Sequence, residues 1–264
     1  MDRVRFSFAH ISLLVGLLAL SGCYEPEPRP LVLGEVPPLV LPPQEAPPAR
    51  HKLIGRSVKG RPLMVQILGE GEDTTLIMAT IHGSEPAGTP LVNRLIDHLR
   101  YNRNLLEGRQ VVLYPLANPD GLAAGTRENI RRIDLNRNFE TANRVNDETT
   151  GLRPLSEPET RALYSLIKEY SPSRIVSIHQ PLNCIDYDGP ARALATRMAQ
   201  YCDLPVKKLG ARPGSLGSYT GETLGIATIT LELPGEASKD SDQVLWDKYG
   251  KALLAAILYP EHPL

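Results

Sequence analysis

The residues able to do chemistry stand in five places: His82-Gly83-Ser84-Glu85, Asn118-Pro119-Asp120-Gly121, Asp134-Leu135-Asn136-Arg137-Asn138-Phe139, Ser177-Ile178-His179, and Glu232 within the apolar run 228–233. The His82 and His179 imidazoles and the Glu85 carboxylate offer a divalent metal three ligands. They leave a further position open to water, as in a catalytic zinc rather than a closed structural one. His-x-x-Glu alone arises often by chance. The later His179, closing a β-branched run, makes the pair a candidate metal site. The same donors also suit iron in a facial triad. A carboxylate inside a β-branched run, as at Glu232, must face solvent or a functional cavity, because burying an unpaired charge is costly. Facing a cavity, Glu232 is a candidate proton carrier.

Short apolar runs and amphipathic stretches alternate around these residues. Runs 63–68, 75–81, 111–116, 174–178 and 227–233 are bounded by Gly, Pro or polar residues and predict buried strands. Helices are predicted between them. Residues 90–99 carry Leu91, Leu95, Ile96 and Leu99 at helical spacing. Ser156-Glu157-Pro158-Glu159 reads as a capping box with Pro in the first turn, followed by Leu163, Leu166 and Ile167. Further helices are predicted over 191–201 and about 242–258, the latter with Val244, Leu245, Tyr249, Leu253 and Ile257 inward. Alternating strands and helices imply an α/β sandwich around a largely parallel sheet. Ligands gather beyond the carboxyl ends of such strands, where His82, Glu85, His179 and Glu232 all fall.

The chain has 264 residues, 42% hydrophobic and 22% charged, with a formal net charge of −1. That is enough for one substantial core. The balance of charge gives no reason to expect nucleic acid as a partner, and nothing points to an obligate protein partner. Arg3 and Arg5 precede an apolar stretch, 6–20, of secretory length, ending at Leu20-Ser21-Gly22-Cys23. Residues 1–22 are therefore expected to be a lipoprotein signal peptide, with Cys23 lipidated and held in a membrane. An ordinary signal peptide ending near a cysteine is the alternative. Residues 24–49 hold nine prolines without apolar periodicity. Residues 23–49 thus read as a lipidated cysteine and tether, able to span about 80 Å if extended as polyproline II, and 50–264 as the catalytic domain. Tyr24 after the cysteine favours the outer over the inner membrane, on the periplasmic side. Cys184 and Cys202 remain as an even pair in an oxidising compartment, either bridged or two independent buried thiols.

The order and spacing of His82-x-x-Glu85, the Asn118-Pro119-Asp120-Gly121 turn, Arg127, Asn136-Arg137, His179 and Glu232 resemble the M14 zinc carboxypeptidases from Gly55-Arg56-Ser57 to Pro234. Within that family, His179-Gln180-Pro181-Leu182-Asn183-Cys184-Ile185 and Pro213-Gly214-Ser215-Leu216-Gly217-Ser218 resemble the murein peptide amidases, which cleave between γ-D-glutamate and meso-diaminopimelate. The resemblance implies a three-layer sandwich with a mixed, largely parallel central sheet. It implies one Zn2+ per chain on His82, Glu85 and His179, with Glu232 taking a proton from the attacking water and passing it to the leaving amine. Arg127 would stabilise the oxyanion, and Asn136 and Arg137 would bind the substrate carboxylate. Asp134 and Asn138 are expected to be scaffold.

No tyrosine stands where digestive members carry a mobile one. The stretch Leu209-Gly210-Ala211-Arg212 occupies that region, which makes Arg212 a candidate for a second substrate carboxylate and leaves a solvent-facing arginine as the alternative. The expected substrate is a peptidoglycan-derived peptide. Two other activities are compatible with parts of the pattern: an N-acyl amino acid deacylase of the succinylglutamate desuccinylase or aspartoacylase type, and a non-catalytic wall-binding lipoprotein. The full 134–139 string and the export signal argue against the first. The intact ligand set with Glu232 argues against the second.

Overall fold

The computed structural model describes residues 49–260. The expected signal peptide, Cys23 and all of the tether but Ala49 lie outside the described residues. Seven strands form one sheet in the order β1-β2-β4-β3-β5-β7-β6: β1 (Arg50–Arg56), β2 (Pro62–Gly69), β3 (Asp73–Ala79), β4 (Arg109–Tyr114), β5 (Arg174–His179), β6 (Leu182–Asp188) and β7 (Ala227–Pro234). The central strands β4, β3, β5 and β7 run parallel, while β1, β2 and β6 join by antiparallel pairing. β1 and β6 were not foreseen. Their sequences, RHKLIGR and LNCIDYD, carry too much polarity to read as buried runs. They lie at the two edges of the sheet, where one flank of the strand stays unpaired.

The helices are α1 (Gly88–Tyr101), α2 (Pro119–Ala124), α3 (Pro158–Tyr170), α4 (Arg192–Met198) and α5 (Asp242–Ile257). The pleat sends alternate strand residues to opposite faces. Ile77, Ala79, Val176 and Ile178 pack under Leu91, Leu95 and Leu99 of α1 and Leu245, Leu253 and Ile257 of α5. Leu76, Met78 and Ile175 face Leu163, Leu166 and Ile167 of α3, with Phe139 and Tyr219 beside them. Each such fully buried side chain contributes about 1.5–3 kcal/mol through lost apolar exposure. Helices thus cover both faces, giving three layers. Gly88 opens α1 because a Cβ there would come within 2.7 Å of the Ala79 Cβ, so its absence lets the helix start close against the sheet. Among the described residues no helix is long and apolar enough to cross a membrane.

Three local expectations fail. The N-cap of α3 is Glu157, whose side chain makes no capping bond. Ser156 Oγ instead donates to Glu157 Oε1 at 3.0 Å and accepts from Asn138 Nδ2 at 2.9 Å. Glu159 turns away to accept from the Val58 N–H at 3.1 Å. Long-range partners displace the local capping box there. In α5, Val244 is exposed rather than inward, since it sits in the first turn, beside the Ser241 cap, where the helix has not yet reached the core. The stretch predicted as one helix over 191–201 is α4 followed by a 3₁₀ turn, Ala199–Tyr201. Cys184 and Cys202 are both free thiols, so of the two readings the unbridged one holds.

Candidate metal centre and substrate cleft

β3 ends at Ala79, and Thr80 then takes φ 54°, a conformation a β-branched residue rarely adopts. Its Oγ1 bonds Thr89 Oγ1 at 2.8 Å and donates to the Glu85 carbonyl at 3.4 Å. These contacts fix the sharp exit that aims His82 and Glu85 over the sheet. The Asn118-Pro119-Asp120-Gly121 turn lies under that loop. Asn118 caps α2 by accepting from the Gly121 N–H at 2.8 Å and donates through Nδ2 to the Ile81 carbonyl at 3.2 Å. A Cβ on Gly83 would lie 2.0 Å from the Gly121 carbonyl carbon. Gly83 is therefore required by two backbones in contact, while a Cβ on Gly121 would lie 2.4 Å from Asn118 Nδ2 and 2.5 Å from the Glu128 carbonyl oxygen; the turn motif is a cradle for the metal-ligand loop.

His82, Glu85 and His179 are all buried, and one ligand atom from each lies within 4.8 Å of the others. His82 Nδ1 and Glu85 Oε1 are 2.9 Å apart, His179 Nδ1 and Glu85 Oε2 also 2.9 Å, and the two Nδ1 atoms 3.1 Å. The opposite ring nitrogens are engaged elsewhere, His82 Nε2 with Asp134 Oδ1 at 3.1 Å and His179 Nε2 with Ser177 Oγ at 3.0 Å. Outer partners of this kind set the tautomer and orientation of a metal-binding imidazole, and here they leave both Nδ1 atoms for one cation. Burial opposes the ionised forms of His82 and Glu85, yet the mutual contacts prevail. The imidazoles hold the Glu85 carboxyl well below the ordinary carboxylate range, and Asp134 and Glu85 raise the pKa of His82. Two convergent nitrogens and a readily ionised carboxylate fit a divalent zinc-like cation, which would displace the protons they share.

Arg127 closes the rim, with Nη1 donating to Glu85 Oε1 at 2.9 Å and Nε to Asp134 Oδ2 at 3.2 Å. Its neighbours Arg131 and Arg132 point to solvent; Arg131 is 3.5 Å from Glu157. Asp134 therefore positions both His82 and Arg127, and Asn138 ties the 150–157 loop through its amide. Both act as scaffold, as expected.

These groups open into a cleft of about 410 Å³, lined also by Asn136, Arg137, Arg212, Asp186, Asp188 and Glu232. Glu232 pairs with His179 across the β5/β7 ladder and accepts from the Leu182 N–H at 3.3 Å. Burial pushes its carboxyl pKa up, with Glu85 adding to the shift and His179 and the Leu182 N–H opposing it. Asn136 Oδ1 accepts from the Leu216 N–H at 2.8 Å, leaving its amide N–H groups for a ligand. Arg137 donates to the Asn136 carbonyl at 2.6 Å. Arg212 lines the cleft and is exposed.

All eight predicted site residues thus meet at one cleft. Four more escaped the sequence reading. Ser177, two positions before His179 on the same strand face, was legible from the period of two. Gln180 staples three segments, its backbone N–H donating to Glu85 Oε2 at 3.2 Å, its Oε1 accepting from the Ala87 N–H at 3.1 Å, and its Nε2 donating to the Pro234 carbonyl at 3.1 Å. Asp186 and Asp188 alternate along β6, and a carboxylate pair at that spacing on one strand face was the available signal.

The family model for zinc carboxypeptidases matches residues 44–188. Murein peptide amidase A of Escherichia coli strain K12 is 36% identical over 208 residues, covering 72% of this chain and 83% of that protein. Among solved structures, a murein-tripeptide amidase from Escherichia coli O157 superposes with a TM-score of 0.68 at 32% identity, covering 82% of this chain and 94% of that one. A carboxypeptidase A from Helicoverpa armigera shares the fold, with a TM-score of 0.67 at 18% identity over 81% of this chain and 70% of its own.

Proposed function

The chain belongs to the zinc carboxypeptidase family and is a hydrolytic enzyme, and we propose that it cleaves peptides derived from peptidoglycan, at the bond between γ-D-glutamate and meso-diaminopimelate, with one zinc ion per chain. The observation that carries this reading is the convergence of His82, Glu85 and His179 with Glu232 on one cleft that Arg137 and Arg212 also line. Its similarity to murein peptide amidase A over most of both chains supports the substrate class.

His82 Nδ1, His179 Nδ1 and Glu85 would hold the metal. A zinc ion there supplies Lewis-acid polarisation of the scissile carbonyl and makes water nucleophilic near neutral pH. Glu232 takes the proton of the attacking water on its carboxylate and returns it to the leaving amine. The burial that raises its pKa suits both halves of that transfer. Arg127, held at the rim by Glu85 and Asp134, keeps its charge when desolvated and faces the developing oxyanion. Asn136 and Arg137 bind the carboxylate next to the scissile bond, and Arg212 a second one further out.

The test is product analysis by mass spectrometry after incubating the enzyme with L-Ala-γ-D-Glu-meso-diaminopimelate, with and without a zinc chelator. Chelator-sensitive release of diaminopimelate is expected. A zinc-loaded, folded sample that releases none overturns the bond assignment.

We further propose that residues 1–22 direct export, that Cys23 carries the lipid, and that 23–49 tether the 50–264 catalytic domain on the periplasmic side, at the outer membrane. The export pattern in the sequence supports this. Cys23→Ser should move the protein from the membrane to the soluble fraction. Unchanged membrane association would remove Cys23 as the anchor.

A further inference from the structure

The cleft that Arg212 lines is also lined by two acidic residues. Asp186 and Asp188 project from the same face of β6, register-paired with Thr230 and Thr228 of β7, and both are buried while lining the cleft. Their partners differ. Asp186 Oδ1 accepts from the Leu209 N–H at 2.7 Å and so ties the 209–212 stretch, with Arg212, to the strand. Asp188 Oδ1 has no hydrogen-bond partner, and its nearest cation, the half-exposed Lys208 Nζ, stands 3.7 Å away. Two glycines make room for this carboxylate. A Cβ on Gly217 would lie 2.0 Å from Asp188 Oδ2, and one on Gly221 would lie 2.5 Å from the Asp188 Cβ. A buried carboxylate with an unused acceptor is costly unless something pairs with it, and here it borders the space where a substrate's end would lie.

We propose that Asp188 is a specificity-determining residue that binds an ammonium group on the residue released from the substrate, and that Asp186 is a positioning residue that holds the Arg212 loop through the Leu209 N–H. Together with Arg212, which lines the same cleft, the pocket reads a zwitterion: a distal ammonium at Asp188 and a distal carboxylate at Arg212. The inference rests on the diaminopimelate reading above and adds the recognition of that residue's second amino group. A peptide ending in 2-aminopimelate, which keeps the distal carboxylate and lacks the ammonium, is the discriminating analogue.

The charges facing Asp188 also set its pH behaviour. Burial and the neighbouring Asp186 push its carboxyl up to about 6, with Glu222 adding and Lys208 opposing. Protonation removes its attraction for an ammonium, so affinity for the zwitterion is fully present above that pH and falls as the pH drops below it.

The experiment measures binding and turnover separately on the zinc-loaded full chain. Free meso-diaminopimelate and 2-aminopimelate are titrated calorimetrically, and kcat and KM are determined for the two corresponding tripeptides. Wild type is expected to bind diaminopimelate the more tightly, and Asp188→Asn to weaken that binding and raise the diaminopimelate-peptide KM on the order of tenfold to a hundredfold. The variant should leave the aminopimelate ligand and peptide unaffected and abolish the loss of affinity on acidification. Equal weakening of both ligands would make Asp188 merely structural, and no preference in wild type would also overturn the assignment. A wild type that prefers free diaminopimelate but cleaves neither peptide would refute the proposed reaction while leaving the ammonium site standing.

Discussion

Glu232→Gln is expected to lower kcat by on the order of 10²–10⁴, the usual contribution of a positioned acid-base group, while zinc content stays at one ion per chain and KM changes little. Glutamine keeps the shape of the side chain and, through its carbonyl oxygen, the bond from the Leu182 N–H. It cannot carry the proton. Stability should hold or rise slightly at neutral pH. A carboxyl whose pKa is raised on folding opposes the folded state once ionised, and the amide removes that penalty. Metal analysis, kinetics and a thermal melt on one preparation decide the matter. Zinc loss in this variant would make Glu232 a ligand instead of the proton carrier.

His179→Ala should abolish both functions. It deletes one of the three proposed ligands, and it strips Glu85 Oε2 of its 2.9 Å partner and Ser177 of the imidazole it orients. Metal affinity should fall by more than the roughly 10–100-fold typical of losing an outer partner, and turnover should fall with it. Added zinc should raise the melting temperature of the wild type, because a ligand that binds only the folded state stabilises it by mass action. That increment should vanish in His179→Ala. A variant that keeps stoichiometric zinc, measured after dialysis, would remove His179 from the ligand set. Compared side by side, the two substitutions separate holding the metal from moving the proton, since both side chains sit at paired positions of β5 and β7.

The legible parts of the fold were those whose apolar runs are buried on both faces. β3, β4, β5 and β7 and the apolar stripe of α1 follow from local composition, because a doubly covered strand must be apolar throughout, whereas β2 alternates and was legible from its buried Leu63, Val65 and Ile67. β1 and β6 are edge strands with mixed polarity, and their sequences resemble loops. The capping box at Ser156 failed for a related reason. Its local hydrogen bonds compete with distant partners, Asn138 and Val58, that only the folded chain brings within reach.

The candidate site divides in the same way. Donor types, their order along the chain and their fall after strand ends were present in the residues themselves, because metal ligation and proton transfer restrict the side chains that can do them. The convergence of the two Nδ1 atoms on Glu85, the outer partners Asp134 and Ser177, the Gln180 staple and the room that Gly217 and Gly221 leave for Asp188 came only with the tertiary structure. Distance and orientation between residues far apart in the chain are properties of packing. Sequence alone determined which chemistry this protein could perform; the packed sheet and its loops decided where each atom points and which charges the cleft presents to a ligand.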